Sequence, residues 1–489
     1  MRFSNIIRLL SDVLISWKAN GDPEVFDVEI HSSKVKNGDI FICRKGDFFD
    51  SHDVAREVVE SGAKVLVCER EIENLGVPVA VVSDSRVAEA VLASEFYGRP
   101  HEKLLVFGVT GTNGKTTTIK MVHHMLNYLK VPGSVVSTVG NNIMGREERT
   151  YNTTPSALHL MRIMKETVDK GGKFVAIEVS SHAIAQKRIY SVRFDSAALL
   201  NITRDHLDFH KSFEEYKKVK LSIFEYLKSD GVGVISHEFF EDLNNGRFRK
   251  VFFGDGGKYR IKEVDVSFTG TKFKLETPWG IKRVKISMVG EFNAYNATAA
   301  LAMLSEIGFD IDELIEALRK FPGVDGRYEV IKEAYREGMK IVVDFAHSPD
   351  ALEKVLKTSR KLLDDKGRII IVFGAGGMAD KGKREIMGRV VSELADVAIV
   401  TNDDPRGEDP EEIAEDILKG FPKDEKPLVI LDRKEAIETA LTLASKRDII
   451  IIAGRGHEDM QVFAPDKEVP FKDKEVIWEL LQKKITKRR

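Results

Sequence analysis

The chain has 489 residues, enough for about three domains that each bury a core of their own. Its 75 Lys and Arg stand against 77 Asp and Glu, a net charge of −2, so no global field draws in nucleic acid or an anionic membrane. No apolar run reaches the length of a membrane span, and the start, Met1–Asp12, is broken by charges too often for a secretory signal. Cys43 and Cys68 both lie inside apolar runs, which predicts buried thiols in a reducing cytoplasm rather than a disulfide framework.

Through the first hundred residues short strands alternate with helices. Residues 39–43, 64–68 and 79–82 read as buried strands, with helices over 53–62 and 85–97. A small α/β domain is expected to end near Arg99-Pro100, where proline stops the last helix. It carries no catalytic cluster, so a binding or positioning role is expected.

The next stretch, 104–118, is an apolar strand, a glycine loop and the start of a helix running to about Lys130. Gly111, Thr112, Asn113 and Gly114 let successive backbone N–H groups turn inward and cradle an anion at the helix start. Lys115 follows the second glycine, where its ammonium reaches a β- or γ-phosphate, and the Thr116 hydroxyl comes next, where it can ligate Mg²⁺. Val109 occupies the first glycine position of the usual phosphate-loop pattern, and Gly111 supplies the flexibility two residues later. These features predict a nucleoside-triphosphate site.

Two further buried strands, 174–179 and 196–201, end in polar residues, where open α/β sheets place their ligands. The first end carries Glu178 with Ser181 and His182, the second Asp205 and His206. A carboxylate and an imidazole beside a phosphate loop suit Mg²⁺. Residues 254–287 read as a peripheral sheet or hairpin. Gly290–Asn296 enters a helix through Leu304, in which Asn293 and Asn296 would ordinarily serve as caps, and Phe321-Pro322-Gly323 reads as a linker.

In the last third, strands are expected at 340–345, 368–373, 397–401 and 448–453. Their ends carry 344–349, 374–377, 403–406 and 454–458, four polar strand ends forming the rim of a doubly wound domain. The glycines do not form G-x-G-x-x-G with an acidic partner, which argues against a dinucleotide cofactor. The basic end, 483–489, reads as a solvated terminus.

The segments 110–117, 152–155, 178–182, 205–208, 290–296, 326–327, 344–349, 403–406 and 456–458 stand in the order found in Mur ligases. The chain resembles that family over essentially its whole length, in particular the members that add the third amino acid. The resemblance implies an α/β protein of three domains. These are a small UDP-substrate-binding domain (1–99), a central ATP-binding domain with a mainly parallel sheet (100–323), and a C-terminal Rossmann-like domain for the amino acid (324–489). It implies a cytoplasmic monomer that uses ATP and Mg²⁺ to join a diamino acid to the D-glutamate of UDP-N-acetylmuramoyl-L-alanyl-D-glutamate through an acyl phosphate, in peptidoglycan precursor synthesis.

By the same resemblance Gly111, Thr112, Asn113, Gly114, Lys115, Thr116, Thr117, Asn296, Arg327 and Asp344 hold ATP. Ser33, Asn152, Thr153, Thr154, Ser181 and Arg188 hold the muramoyl nucleotide, although Ser32-Ser33-Lys34 replaces the family's Asp-Ser-Arg. Thr116, Glu178, His206 and a carbamylated Lys220 are implied as metal ligands, with Lys115, Glu178, His206 and Lys220 as the catalytic set. Asp403, Asp404, Arg406, Gly454 and Glu458 are implied as the amino-acid site.

Family members that use meso-diaminopimelate typically carry Asp-Asn-Pro-Arg and an arginine that pairs with the distal carboxylate. Here Asp404 replaces the asparagine and Ala379 the arginine, a pocket expected to be two charges more negative and so to prefer lysine. Arg406 argues for meso-diaminopimelate, which is the alternative. Folylpolyglutamate synthase shares part of the plan but lacks the 152–155 and 403–406 segments. A nucleotide-dependent switch protein is the rival of another class, and no [Asn/Thr]-Lys-x-Asp guanine-reading motif supports it.

Overall fold

The structure is a computed structural model. It describes the chain apart from residues 47–48, 151, 244–246, 425–426 and 489, and apart from the side chains of 208 and 484–488. The final helix, Asp473–Arg488, contains most of the basic end, whose side chains beyond Lys483 lie outside the described residues.

One compact unit comprises Met1–Thr110, Leu126–Ala197 and Val219–Gly233. It holds a five-stranded sheet in the order Leu14–Lys18, Val79–Val82, Val65–Cys68, Ile40–Ile42, Val28–Glu29, parallel except for the first pair. The three central strands are buried along their whole length, which is why they read as unbroken apolar runs rather than as an alternation. The helix Ser85–Phe96 starts at Asp84, whose carboxylate accepts from the backbone N–H of Arg86 and Val87. Cys43 and Cys68 are both buried and free, with Cys68 Sγ 3.5 Å from Cys43 Sγ.

The same unit contains the parallel strands Leu105–Thr110, Phe174–Glu178 and Gly133–Val136, with Phe174–Glu178 in the middle, followed by the antiparallel strands Asn141–Ile143 and Arg146–Glu148. The helix Ala157–Asp169 buries Leu158, Leu160, Met161, Ile163 and Met164 on one face, and Ser156 caps it by accepting from His159 N–H.

The second unit comprises Gly111–Met125, Ala198–Lys218 and Val234–Arg489. The charged β-rich stretch forms a three-stranded antiparallel sheet over Arg260–Ser267, Gly270–Thr277 and Gly280–Ile286. The helix Glu291–Ser305 starts at Gly290, so Asn293 and Asn296 lie inside it and do not cap it. Asn293 Nδ2 donates to Val289 O (2.9 Å) and Asn296 Nδ2 to Asn293 Oδ1 (3.1 Å), a chain of amides along one helix face.

All four strands expected in the last third form. The sheet runs Glu329–Val330, Lys340–Asp344, Ile449–Ala453, Ile369–Phe373, Val397–Val400, Leu428–Val429, parallel but for the first pair. Successive side chains face opposite sides, and both sides are covered. Val342, Ile371, Phe373 and Ile451 pack with Leu352, Leu356, Met387 and Ile413 on one face. Ile341, Val372 and Ile450 pack with Ile437, Leu441 and Ile477 on the other. Each such side chain contributes roughly 1.5–3 kcal/mol by leaving water, so the sheet is a stiff base for the loops at its carboxyl edge. Among the described residues no helix is long and apolar enough to cross a membrane.

Candidate active site

The phosphate loop is held by side chains from well outside its own motif. Asn201 Oδ1 accepts from Asn113 N–H (2.9 Å) and Asn201 Nδ2 donates to Asn113 O (3.0 Å), pinning the loop at its middle. The Thr112 hydroxyl accepts from Thr203 N–H (2.9 Å) and lies 3.0 Å from the Tyr216 hydroxyl. Gly114 has φ +87°, and a side-chain carbon there would collide with Asn296 Oδ1. Glycine is therefore required twice over, by the backbone angle and by the neighbour. Lys115 Nζ donates to Gly111 O (3.0 Å) and Thr112 O (2.8 Å), which keeps the ammonium over the loop. Thr116 and Thr117 are buried.

Residues beyond the Pro322-Gly323 stretch meet this loop. Arg327 Nη2 donates to Thr116 Oγ1 (3.2 Å), and its guanidinium lies 4.3 Å from the centroid of the Phe345 ring. Asn113 Nδ2 donates to Asp350 Oδ2 (2.6 Å). Asp344 is buried and accepts from Tyr328 N–H (2.6 Å) and Ala346 N–H (2.8 Å). Burial pushes its carboxyl up to about 6, while the Tyr328 N–H and Arg327 act against the rise.

Asp205 and His206 follow the strand Phe194–Leu199. His206 has φ +53°, an uncommon angle for a side chain of its size, and heads the short helix Leu207–His210. Asp205 Oδ1 accepts from His206 N–H (3.0 Å), and Oδ2 lies 3.5 Å from His206 Nε2. Burial would raise the Asp205 carboxyl, but His206, His347, Lys383 and Lys115 together hold it below its ordinary value. His347 is lowered to about 4, first by burial and then by Lys383, and its Nδ1 lies 2.7 Å from Phe345 O. His347 is therefore a neutral imidazole at pH 7.

In the first unit Glu178 is the centre of a compact polar group. Thr138 N–H donates to Glu178 Oε2 (2.9 Å) and the Thr138 hydroxyl to Oε1 (2.9 Å), with Thr153 Oγ1 3.1 Å from the Thr138 hydroxyl. The Thr154 hydroxyl donates to Glu178 O (2.7 Å), and Arg188 Nη1 donates to Thr154 O (2.6 Å). The Arg188 guanidinium is lowered to about 10, first by burial and then by Arg44 and Arg86. Ser181 and Lys220 are both buried. Asn152 and Ser33 are exposed, Ser33 on the short helix Ser32–Lys34. Thr138 was not singled out in the sequence, where it stands among ordinary strand-end residues.

The loops at the carboxyl edge of the last sheet draw together Asp403, Asp404 and Glu458, with a carboxylate oxygen of each lying within 4.8 Å of the others. Gly454, at φ +111°, leaves the space that Asp403 Oδ2 occupies. That oxygen is buried and has no hydrogen-bond partner among the described residues.

Asp404, read from the sequence as an added negative charge, has counter-ions within the chain. The fully buried Arg455 guanidinium donates to Asp404 Oδ1, Val462 N–H donates to the same oxygen (3.1 Å), and Arg406 Nη2 lies 3.6 Å from Oδ2. The sequence reading gave Arg455 no role. It lies fifty-one residues from Asp404 (|i−j| = 51), and the two come together from the ends of Val397–Val400 and Ile449–Ala453, parallel strands with Ile369–Phe373 between them. Glu458 is raised to about 8, first by burial, then by Asp403 and Asp404, with Arg455 and Arg406 acting in opposition. The rim is thus suited to receive a cationic group at Asp403 and Glu458. Ala379 is half-buried on the loop that follows the strand Ile369–Phe373.

The Mur ligase middle domain family matches residues 109–304, and the Mur ligase, glutamate ligase domain family matches residues 326–456. A UDP-N-acetylmuramoyl-L-alanyl-D-glutamate--2,6-diaminopimelate ligase of Clostridium botulinum is 35% identical over 484 residues, covering 98% of this chain and 99% of its own. The enzyme of the same name from Geobacillus kaustophilus is 37% identical, covering 96% of this chain and 98% of its own. A solved structure of a ligase with that name superposes with a TM-score of 0.66 at 30% identity, over 94% of this chain and 95% of its own.

Proposed function

The chain belongs to the Mur ligase family, and from that premise we propose that it is an ATP-dependent ligase adding a diamino acid to UDP-N-acetylmuramoyl-L-alanyl-D-glutamate. The observation that carries the reading is the meeting of Arg327 and Asp350 with Thr116 and Asn113. An arginine from the amino-acid-binding part of the chain stands at the phosphate loop, as a two-step transfer through a shared site requires. A D-glutamyl carboxylate oxygen attacks the γ-phosphorus of ATP, the bond to the β,γ-bridging oxygen breaks, and ADP leaves with that electron pair. The amine of the diamino acid then attacks the acyl carbon, phosphate leaves, and the nitrogen loses a proton to give the amide.

Lys115 and Arg327 supply positive charge to the phosphates, and the Asn113–Asn201 bracing keeps the loop in shape for them. Asn296, packed against Gly114, and Asp344 are assigned to the nucleotide. Thr153, Thr154, Ser181 and Arg188 are assigned to the muramoyl dipeptide, with Asn152 and Ser33 as its exposed contacts. For Mg²⁺ the donors are chemically apt: the Thr116 hydroxyl, the buried Glu178 carboxylate, and His206. A buried ammonium at Lys220 is costly, and carbamylation turns it into an anionic oxygen donor, so a carbamate is assigned there. When bound, Mg²⁺ neutralises phosphate charge. We also propose the domain division 1–99, 100–323 and 324–489 and a monomeric state.

Lysine is the preferred diamino acid in this reading. Ala379 offers no charge to a distal carboxylate, while Asp403 and Glu458 offer acceptors to an ammonium. The second reading, meso-diaminopimelate, is favoured by the half-exposed Arg406 and by the names of the relatives. Phosphate release from ATP tests the function. It should require both the muramoyl dipeptide nucleotide and a diamino acid, and release independent of the dipeptide nucleotide would refute the reading.

A further inference from the structure

Arg433 is the first residue of the helix Arg433–Leu443, and Asp473 is the first of the final helix. Both are buried, and they form a two-pronged pair: Arg433 Nε donates to Asp473 Oδ1 (2.7 Å) and Nη2 to Oδ2 (2.7 Å). An ion pair so far from water needs further hydrogen bonds to offset its desolvation, and the guanidinium finds them at two strand ends. Nη2 donates to Ala453 O (3.0 Å) and Nη1 to Asn402 O (3.2 Å). Those carbonyls directly precede Gly454 and Asp403, and the strand Ile369–Phe373 lies between Ile449–Ala453 and Val397–Val400. One side chain therefore spans the carboxyl edge of the sheet and fixes the spacing of the two residues that follow.

The same pair sets the charge beside Asp403. Around the point where a carbon added to Gly454 would stand, Asp403 Oδ2 lies 2.1 Å away and Arg433 Nη1 4.0 Å away. Yet Arg433 is turned to Asp473 and the two carbonyls, and Asp403 Oδ2, buried, has no hydrogen-bond partner among the described residues. The other guanidiniums of the rim are committed as well. Arg455 donates to Asp404 and lies 3.7 Å from Glu458 Oε2, and Arg406 lies 3.6 Å from Asp404 Oδ2. Among the described residues, Asp403 is thus the one carboxylate of the rim that pairs with no cation. A sheltered carboxylate oxygen without a partner is costly, and a cation from outside relieves that cost.

We propose that Arg433 and Asp473 are the positioning residues of the amino-acid site: Arg433 fixes the strand ends that carry Asp403 and Gly454, and Asp473 neutralises Arg433, so that Asp403 stays unpaired for an ammonium of the incoming diamino acid. The proposal rests on the ligase reading above and on its amino-acid site. Neither residue touches the substrate. Without Asp473, the guanidinium has Asp403 as the nearest replacement for its lost counter-charge, and the acceptor meant for the substrate is taken by the chain itself.

Two readouts test it: steady-state ligation, with whichever of lysine and meso-diaminopimelate the wild type uses better, and scrambling of oxygen-18 from the β,γ-bridge of ATP with the dipeptide nucleotide and no amino acid. Asp473→Asn should raise the amino-acid KM at least about tenfold, while the ATP KM and the scrambling rate stay within about threefold of the wild type. Asp473→Glu, which keeps the charge, should recover most of the rise. Asp403→Asn should raise the same KM, and adding Asp473→Asn to it should raise it by no more than about twofold further, because both act through one oxygen. Arg433→Met with Asp473→Leu replaces the whole pair by apolar side chains, which answers the question if Asp473→Asn does not fold. It too should raise the amino-acid KM at least about tenfold and keep scrambling. An unchanged amino-acid KM, fully additive losses with Asp403→Asn, or scrambling lost in step with ligation would overturn the proposal. A wild type with no ligation would instead overturn the ligase reading itself.

Discussion

At the scale of single residues, Glu458 makes the sharpest prediction. Its carboxyl is raised to about 8, so at pH 7 it is mostly protonated before any amino acid arrives. An ammonium placed between Asp403 and Glu458 favours the ionised form, so binding a diamino acid at pH 7 should release up to about one proton. The sign also sets a stability trend. Because the folded state holds the proton more tightly than the unfolded chain, Glu458 costs stability progressively from its unfolded value up to pH about 8, and the cost then levels off. Calorimetry in two buffers of different ionisation heat measures the proton count, and Glu458→Gln should abolish it. Equal heats in both buffers for the wild type would contradict the assignment.

Lys220→Ala should cost at least about 100-fold in kcat, and a short carboxylic acid such as acetate should restore part of it. A fully active Lys220→Ala enzyme would remove the carbamate from the account. The Asp404–Arg455 pair changes how substrate preference should be probed. Asp404→Asn leaves a buried guanidinium short of its partner and should lower stability, whereas Ala379→Arg adds a cation without breaking a pair. Ala379→Arg alone should therefore raise the ratio of specificity constants for meso-diaminopimelate over lysine by roughly tenfold or more. The sequence displayed the acids of this rim but not Arg455 as their counter-ion, because motif spacing records neighbours along the chain and the pairing runs between strands.

At the scale of elements, the phosphate loop was legible because its requirements are local: glycines, a lysine, and a hydroxyl at the start of a helix. Its bracing was not, since Asn201, Thr203, Tyr216 and Asn296 reach it from other elements. The strands of the last third were equally legible, because burial on both faces writes continuous apolar runs. For Asn293 and Asn296 the ordinary alternative, capping, does not hold: asparagine suits a cap, but Gly290 already turns the chain into the helix. Gly114→Ala joins the two themes. It places a side chain at φ +87° and against Asn296 Oδ1, so it should raise the ATP KM by at least about tenfold and lower the melting temperature by a few degrees. Adding Asn296→Ala removes the collision but not the backbone cost, and should restore only part of the stability.

At the scale of the whole molecule, the proposed reaction needs the C-terminal part of the chain to complete the phosphate site, as Arg327 does at Thr116. Closing the site shelters a water-labile acyl phosphate. Small-angle scattering should show compaction when an ATP analogue and the muramoyl nucleotide bind together, and an unchanged curve at saturation would count against closure. The central claim, ligation driven by ATP, is tested most directly by the mass of the product. With ATP, Mg²⁺, UDP-N-acetylmuramoyl-L-alanyl-D-glutamate and lysine, the nucleotide should gain the mass of one lysine less water, with one ADP formed for each product molecule. ADP formed with no gain in nucleotide mass, whether lysine or meso-diaminopimelate is supplied, would contradict the account.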